Sequence, residues 1–367
     1  MYKYLLLLVI AATAGHQGWR TLFNNFAVDT VGINGFQMGV IQSVRETPGF
    51  LTFLVVYVLL FMREERLSAW GILLMGVGIG MTGLLPSFQG IILSIFIMSL
   101  GFHYFETTNQ SLTLQYFSKQ DAPLVMGRLK SYGGLANIAV GLAVWFVSDY
   151  LPLSNIFLII GILVALVGVY ALTRRPADHK IRTQKKKIVI KKKYWLFYVL
   201  SLFSGARRQI FVVFVVFMLV QKYAFTIREV AILFLINNVL VYFISPYIAK
   251  AINKFGERKV LTIEYVGMFV IFLSYAFVSN RYIAGGLYVI DHIFFGFAMA
   301  INSYLQKIAE PEDLANSIST GFAINHISAV IIPVFGGMLW MWNWQIPFIA
   351  GAVLALGSLF FVQKIKI

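Results

Sequence analysis

Ionisable side chains occur inside long apolar stretches of this sequence, where a charge is costly to keep. A charge at the centre of a bilayer costs about 2.5 kcal/mol or more, so such a group faces a water-filled cavity or a binding partner. The pattern suits the binding of a charged solute or the movement of protons. The residues concerned are Arg20, Arg45, Glu46, Glu106, Arg207, Arg208, Glu264, Asp291, His16, His103, His292 and His326.

Spacing groups some of these residues on single helical faces. His16, Arg20 and Asn24 follow one another at intervals of four residues, so they share one face of a helix. A polar stripe of this kind can line a water-filled cavity or can form hydrogen bonds between helices, and the sequence leaves both interpretations open. A second stripe consists of His103, Glu106, Thr107 and Gln110.

Adjacent charged residues cannot all point the same way. Neighbours on a helix point about 100° apart. We therefore expect at most one of Arg207 and Arg208 to face a solute, while the other binds an acid or backbone carbonyls. Arg45 and Glu46 are expected to pair either with each other or with groups on other helices.

The balance of these charges predicts a binding site and a coupling device. The arginines outnumber the central acids, which favours an anionic or zwitterionic solute. Burial can also let a carboxyl group carry a proton, and the candidates for this role are Glu46, Glu106 and Asp291. The predicted solute-binding residues are His16, Arg20, Asn24, Arg45, His103, Thr107, Gln110, Asn137, Arg207, Arg208, His292, Asn325 and His326.

Composition identifies the elements that hold these residues. The chain has 367 residues, of which 59% are hydrophobic and 12% charged. A soluble domain is about 25% charged, so a cytosolic globular enzyme and a disordered protein are both excluded. The chain has no cysteine, which excludes disulfides, cysteine zinc sites and thiol nucleophiles.

The apolar stretches have the length of membrane-spanning helices, which need about 20 residues each. The sequence predicts an all-α membrane protein with twelve spans, in two pseudo-symmetric six-helix bundles around a central cavity. Spans three, six and twelve carry no interior charge and are expected to face lipid. The predicted spans are 4–27, 35–61, 68–85, 89–114, 131–149, 153–172, 195–219, 227–249, 260–279, 282–304, 315–336 and 343–362.

The basic residues predict the orientation. Of the 30 lysines and arginines, 23 fall on one side of the twelve predicted spans, 3 on the other and 4 inside spans. Since cytoplasmic loops carry the excess of positive charge, both termini are expected in the cytoplasm, with the chain in a bacterial-type inner membrane. The net charge of +15 is thereby explained without a nucleic-acid partner.

A basic segment divides the chain at its middle. Residues 173–194 contain ten lysines and arginines and separate an N-terminal bundle, 1–172, from a C-terminal bundle, 195–367. The segment is expected to be a cytoplasmic linker, with a regulatory contact or nucleic-acid contact as alternatives. Weak internal matches, such as Gly101-Phe102 with Gly296-Phe297, support a duplication with an offset near 190 residues.

Two motifs give the chain a family resemblance. The loop Asn253-Lys254-Phe255-Gly256-Glu257-Arg258-Lys259 is similar to the G-x-x-x-D-R-x-G-R-R loop of the major facilitator superfamily, with Lys254, Gly256 and Arg258 in matching positions. Pro333-Val-Phe-Gly336-Gly337 is similar to a P-x-x-G-G motif of its helices. The resemblance implies alternating access by rocking of two halves, usually driven by protons, with the loop at Lys254, Gly256 and Arg258 latching the cytoplasmic gate.

The sequence thus predicts a secondary active transporter for a small polar or anionic organic solute, coupled to protons. Efflux of amphipathic drugs is the alternative substrate class. A membrane-embedded enzyme is disfavoured, because no His-Glu-x-x-His motif occurs and the adjacent Asp291 and His292 diverge on a helix. A transport-inactive sensor is the third possibility. The expected partners are a small molecule, protons and the lipid bilayer; no cofactor, metal or oligomer is expected.

Overall fold

The computed structural model describes residues 1–118, 121–174, 176 and 191–366, and all regular structure in these ranges is helical. Most of the basic linker predicted at 173–194 lies outside the described residues. The helices before it are α1 (Tyr2–Asn25), α2 (Gly35–Phe50), α3 (Val55–Val58), α4 (Glu64–Leu84), α5 (Phe88–Tyr116), α6 (Asp121–Val147) and α7 (Leu153–Leu172). Those after it are α8 (Trp195–Ile210), α9 (Val216–Gln221), α10 (Ile227–Phe255), α11 (Glu257–Phe277), α12 (Arg281–Phe295), α13 (Met299–Ile308), α14 (Pro311–Trp342) and α15 (Ile346–Val362).

Several helices continue through a short change of winding. A π-helical segment, Phe26–Val31, extends α1, and another, Phe211–Val215, joins α8 to α9. A 3₁₀ turn, Gly296–Ala298, joins α12 to α13. Pro48 lies inside α2, where it lacks the N–H that a helix requires, and a second 3₁₀ turn, Leu51–Leu54, follows. Such segments widen or tighten the helix locally and re-aim the side chains near them.

The described helices are those of a multi-pass membrane protein. Seven helical stretches among the described residues are long and apolar enough to cross a membrane, and a bent pair inside α10 would make an eighth. The twelve spans expected from the sequence therefore remain a prediction. Part of the difference has a physical reason: α1 carries the polar stripe with His16 and Arg20, α2 is broken near Pro48, and α15 has 17 residues.

The chain forms two compact units. Unit 1 consists of Met1–Ile33, Val44–Gln184 and Thr226–Phe234. Within it, α4 packs along α5 and α7, and α1 packs against α6 and α7. Glycines allow the close approach of α4 to α7: a Cβ atom on Gly76 would lie 2.3 Å from the backbone nitrogen of Ala165. Although α4 has no charge in its interior, it is mostly buried, so the absence of charge does not mark a lipid-facing helix.

Unit 2 consists of Asn34–Ser43, Lys185–Phe225 and Leu235–Ile367. Here α8 packs on α14 and α15, and α11 packs on α15 and α12. An aromatic core holds them together, with Tyr194, Phe197 and Tyr265 almost fully buried. The first part of α2 belongs to this unit, because the Ser43 hydroxyl donates a hydrogen bond of 2.6 Å to the carbonyl oxygen of Val330 on α14.

Candidate functional site

His16 is the centre of a polar cluster in unit 1. Its imidazole, on α1, stacks on Phe102 of α5 with the ring centroids 4.9 Å apart. Four charged or ionisable side chains act electrostatically on it, namely Arg20, Arg45, Glu46 and His103. The fold thus gathers the predicted residues of spans one, two and four around one histidine. We call these five residues the His16 cluster.

Arg45 and Glu46 form a local ion pair. The Arg45 Nη2 atom lies 2.7 Å from Glu46 Oε1, and both side chains are largely buried. The Ser99 hydroxyl donates a hydrogen bond to the backbone carbonyl of Arg45, which ties α2 to α5. Of the two arrangements that the sequence allowed, the structure has the pairing of neighbours.

Arg20 has a different environment from Arg45. Its guanidinium lies 4.7 Å from the ring centroid of Phe234, at the segment of α10 that belongs to unit 1. Among the described residues it forms no ion pair. Asn24, one turn further along α1, is buried, and its Oδ1 atom accepts no hydrogen bond from a described residue. Asn137 on α6 is partly buried. The α1 stripe therefore combines a cation with an amide that has unused hydrogen-bonding capacity.

The second polar stripe lies on α5, and its four residues differ in their contacts. His103 Nδ1 lies 3.8 Å from Glu106 Oε2, and the Glu106 side chain is 58% exposed. Thr107 donates to the carbonyl of His103, so its hydroxyl is used by its own helix. Gln110 is exposed. His103 and Glu106 are therefore the residues of this stripe that are placed to exchange protons or polar contacts.

A buried ion pair fixes Arg207 in unit 2. Its Nη2 atom lies 3.4 Å from Glu264 Oε1 on α11, and the two residues are only 2% and 3% exposed. Tyr265 lies beside the pair, with the Arg207 guanidinium 4.3 Å from its ring centroid. Arg207, predicted as a solute-binding residue, thus has a partner acid inside the protein.

Arg208 points elsewhere on the same helix. Its side chain is exposed, its Nη1 atom donates to Asn325 Oδ1 at 3.5 Å, and its guanidinium lies 5.7 Å from the ring centroid of Phe295. Asn325 lies on α14 and Phe295 on α12. The two adjacent arginines therefore diverge, and Arg208 is the one whose side chain is exposed.

Asp291 and His292 also diverge. Asp291 is 1% exposed and lies next to the buried phenol of Tyr275 on α11. His292 instead lies among aromatic rings, with Phe211 and Phe295 both 6.1 Å away between centroids. His326 on α14 is buried and meets Phe322 edge to face at 4.6 Å. The two predicted histidines of unit 2 are thus held by aromatic contacts, whereas Asp291 is enclosed. We call Arg208, Asn325 and Phe295 the Arg208 cluster.

The loop between α10 and α11 contains an ion pair that the sequence did not reveal. Gly256 has φ = 78°, a left-handed conformation that glycine adopts without strain. Arg258 donates to Gln363 Oε1 at 3.0 and 3.2 Å, and Lys254 is exposed. Glu257 is buried and accepts hydrogen bonds from Ser303 and Lys307 of α13. The acid therefore joins this loop to α13.

Sequence reasoning missed Tyr265, Tyr275 and Glu257. It identifies Glu264 as an acid inside a span but not its partner, because Arg207 is 57 residues away. A signal existed, since a lone acid on an apolar helix requires a cation nearby. Among the described residues, no group of three or more His, Asp and Glu side chains could hold a metal ion.

Comparison with solved structures shows a transporter fold. The chain superposes on the crystal structure of the nucleoside transporter NupG with a TM-score of 0.79, 16% identity and coverage of 100% of this chain and 99% of that one. A bacterial homologue of the human lysosomal transporter Spinster, in an inward-facing and occupied conformation, gives 0.78 at 12% identity, covering 99% and 95%. A bacterial homologue of the iron transporter ferroportin gives 0.77 at 16%, covering 99% and 98%. At these identities the likeness concerns the fold alone.

Sequence comparison identifies the family. Comparison with curated proteins gives no match. The sequence model of the Major Facilitator Superfamily matches residues 5–319, which is most of the chain. The match agrees with the helical fold and with the loop and helix motifs. The chain therefore belongs to the Major Facilitator Superfamily, and it is a membrane transporter rather than an enzyme.

Proposed function

We propose that this transporter moves a small polar or anionic organic solute across the inner membrane by alternating access, coupled to protons. The observation that carries the proposal is the position of Arg208: an exposed guanidinium held beside an amide and an aromatic ring. Such a group can bind a carboxylate or phosphate through two parallel hydrogen bonds. The amide of Asn325 adds donors and an acceptor for the rest of the solute.

The pairing of charges supports an anionic or zwitterionic solute. Two of the four arginines inside the spans are neutralised within their own unit, Arg45 by Glu46 and Arg207 by Glu264. Arg20 lies against the ring of Phe234 and forms no ion pair with a described residue. Positive charge therefore remains in the His16 cluster, and an anionic group would compensate it.

Three carboxyl groups are the proposed proton carriers. Asp291 is enclosed next to Tyr275, Glu106 is exposed next to His103, and Glu46 is paired with Arg45. A carboxyl group that gains and loses a proton changes the charge of its surroundings by one unit, which is a simple way to link proton movement to solute release. We place this role first on Asp291, because burial makes its charge state most consequential.

In the proposed architecture the transporter has twelve spans in two bundles, 1–172 and 195–367, which the basic linker 173–194 joins. Both termini lie in the cytoplasm, and the chain acts as a monomer. The other predicted solute-binding residues line the solute pathway, namely Asn24, Thr107, Gln110, Asn137, His292 and His326. The loop with Lys254, Gly256 and Arg258 acts at the cytoplasmic gate, and its support is the pair of contacts to Gln363 and α13.

Counterflow into proteoliposomes tests the proposal. The purified chain would be reconstituted and loaded with carboxylates, amino acids, nucleosides or small peptides, and exchange of labelled solute measured. We expect exchange of one anionic or zwitterionic class. Loss of a charge-assisted hydrogen bond, about 1.5–3 kcal/mol, predicts that Arg208→Gln weakens its binding roughly 10- to 100-fold. Arg63→Gln, at an exposed arginine paired with Glu65, is the control and should leave exchange unchanged.

Efflux of amphipathic compounds is the second candidate, and one observation favours it. Phe295 and Phe322, near Arg208 and His326, are exposed and could stack on an aromatic drug. In that case the transported compounds would be hydrophobic, and Arg208→Gln would not reduce their exchange. Transport of that kind, with none of any anionic solute, would refute the preferred substrate class.

A further inference from the structure

A cavity with a lysine and three tryptophans lies at the ends of two spans in unit 2. Its volume is about 570 Å³, within the usual range of ligand pockets. One candidate span ends at Gln221 and another at Trp342, so the cavity lies where helices leave the hydrocarbon. Lysine and tryptophan at that level are typical of the membrane interface. The lining residues are Gln221, Lys222, Trp340, Trp342, Asn343 and Trp344.

The lysine of this cavity has no acidic partner. The Lys222 Nζ atom lies 3.0 Å from the ring centroid of Trp344, and among the described residues no carboxylate pairs with it. Lys222 is exposed, and partial desolvation beside the aromatic rings lowers its pKa. An anion entering the cavity would restore the lost electrostatic stabilisation. A negatively charged occupant would complement the charge of Lys222.

The walls of the cavity are preformed. Trp340 is buried and stacks on Phe214 at 5.6 Å, with Phe217 at 5.1 Å. The loop that carries Lys222 is fixed by a hydrogen bond of 2.6 Å from the Tyr223 hydroxyl to the Val278 carbonyl. Binding would therefore not require these side chains to be reorganised first.

An exposed apolar stripe leads away from the cavity along α14. Ile331, Phe335, Met338 and Trp342 are spaced at i, i+4, i+7 and i+11, so they share one face, and all are exposed, Trp342 to 81%. Eleven residues of helix extend about 16 Å, which is close to half of a hydrocarbon core of about 30 Å. The stripe thus has the length of one lipid acyl chain within a leaflet.

We infer that this cavity and stripe bind one anionic glycerophospholipid, with the phosphate at Lys222 and an acyl chain along α14. A soluble phosphate would occupy the cavity but would not contact the stripe. A lipid contacts both, and we therefore prefer the lipid. The three basic residues predicted outside the cytoplasm are Lys222, Arg228 and Arg281. Arg228 pairs with Asp149, so its charge is already compensated. Only the choice of the outer leaflet rests on the topology in the proposed function.

Quenching by brominated lipids tests the site. The full chain carrying Trp70→Phe and Trp195→Phe, two exposed positions elsewhere, would be reconstituted in phosphatidylcholine vesicles. Brominated phosphatidylglycerol or brominated phosphatidylcholine would then be added and tryptophan fluorescence measured. One lysine near an anionic lipid predicts about a fivefold preference for phosphatidylglycerol. In Lys222→Gln the preference should fall to about one, whereas Lys222→Arg should retain it.

Two controls separate the sources of an effect. Lys364→Gln removes a lysine that also lies over aromatic rings, 4.7 Å from Phe360, and should leave the preference unchanged. Free glycerol phosphate at millimolar concentration should not compete with the lipid. An unchanged preference in Lys222→Gln, equal loss in Lys364→Gln, no preference in the parent protein, or full competition by glycerol phosphate would each overturn the inference.

Discussion

At the scale of single residues, burial separates two neighbouring arginines with the same chemistry. Arg207 is enclosed with Glu264 and Tyr265, while Arg208 is exposed beside Asn325. Helical geometry alone sets them about 100° apart. Their consequences differ: removing Arg207 leaves a buried acid without its cation, whereas removing Arg208 leaves the protein interior intact. The two residues should therefore affect different measurements, stability for Arg207 and solute binding for Arg208.

The Arg207–Glu264 pair gives a prediction for stability. Either Arg207→Met or Glu264→Met strands an uncompensated charge and should lower the unfolding free energy by about 3–5 kcal/mol. The double variant removes both charges and should recover most of that loss. Chemical unfolding of the purified protein in detergent measures these differences. Arg228→Gln is the matched control, because its pair with Asp149 is exposed on both sides and such a pair is worth only about 0–1 kcal/mol. A loss in the double variant equal to the sum of the two single losses would show that the two residues act independently.

A second residue-scale prediction concerns pH. At the start of α14, Asp313 pairs with Lys191 and Lys193 and accepts a hydrogen bond of 2.8 Å from Tyr194. The hydrogen bond from Lys191 is the main cause that lowers the pKa of Asp313 to about 2. An unfolded aspartate has a pKa of about 3.9. The stability that this carboxylate contributes is therefore complete above about pH 4 and lost as the pH falls through 2.

Thermal unfolding of the wild type and Asp313→Asn across pH tests this sign. The wild type should be the more stable protein at pH 5–7, and the difference should shrink below pH 4 and vanish near pH 2. Glu310→Gln is the comparison variant, since Glu310 is exposed and pairs with Lys193. A difference that stays constant down to pH 2, or that grows on acidification, would contradict the assignment.

At the scale of elements, the first helix of each predicted bundle changes its winding at a similar place. The α1 helix passes into a π segment after Asn25, and α8 passes into one after Ile210. These positions are about 185 residues apart, close to the offset of the weak sequence matches. Each segment follows the polar residues of its helix by only a few positions. The wider winding of a π segment rotates the side chains after it relative to those before it. The polar residues of α1 and α8 therefore point in a different direction from the later residues of the same span.

The contact between α4 and α7 provides a prediction at this scale. A Cβ atom at Gly76 would meet the backbone of α7 at 2.3 Å, whereas one at Gly80 on the same helix would find its nearest neighbour at 3.7 Å. Gly76→Ala should therefore push the helices apart and cost about 1–3 kcal/mol. Gly80→Ala should be neutral or stabilise slightly, because alanine favours a helix by up to about 1 kcal/mol. Unfolding in detergent compares the two variants, and similar effects in both would argue against backbone contact.

At the scale of the whole molecule, the sequence predicts well what depends on composition. Apolar runs and scarce charge predict a membrane protein, and the i, i+4 spacing predicts that His16 and Arg20 share a face of α1. Sequence alone fails where a partner is distant in the chain. Glu264 for Arg207, Lys307 for Glu257 and Val330 for Ser43 all lie on other helices. The burial of α4 was missed for the same reason, because glycine packing leaves no trace in the charge pattern.

The topology gives the last prediction, and the absence of cysteine makes it easy to test. The excess of lysine and arginine on one side predicts that Ser118 and Lys366 lie in the cytoplasm and Ser279 lies outside. All three are exposed, so a cysteine placed at each should react without disturbing packing. A membrane-impermeant maleimide applied to intact cells should label Ser279→Cys alone, and after permeabilisation it should label all three. Labelling of Lys366→Cys in intact cells would place the C-terminus outside. It would also move the cavity at Lys222 to the cytoplasmic leaflet, so the same experiment fixes which lipids can reach it.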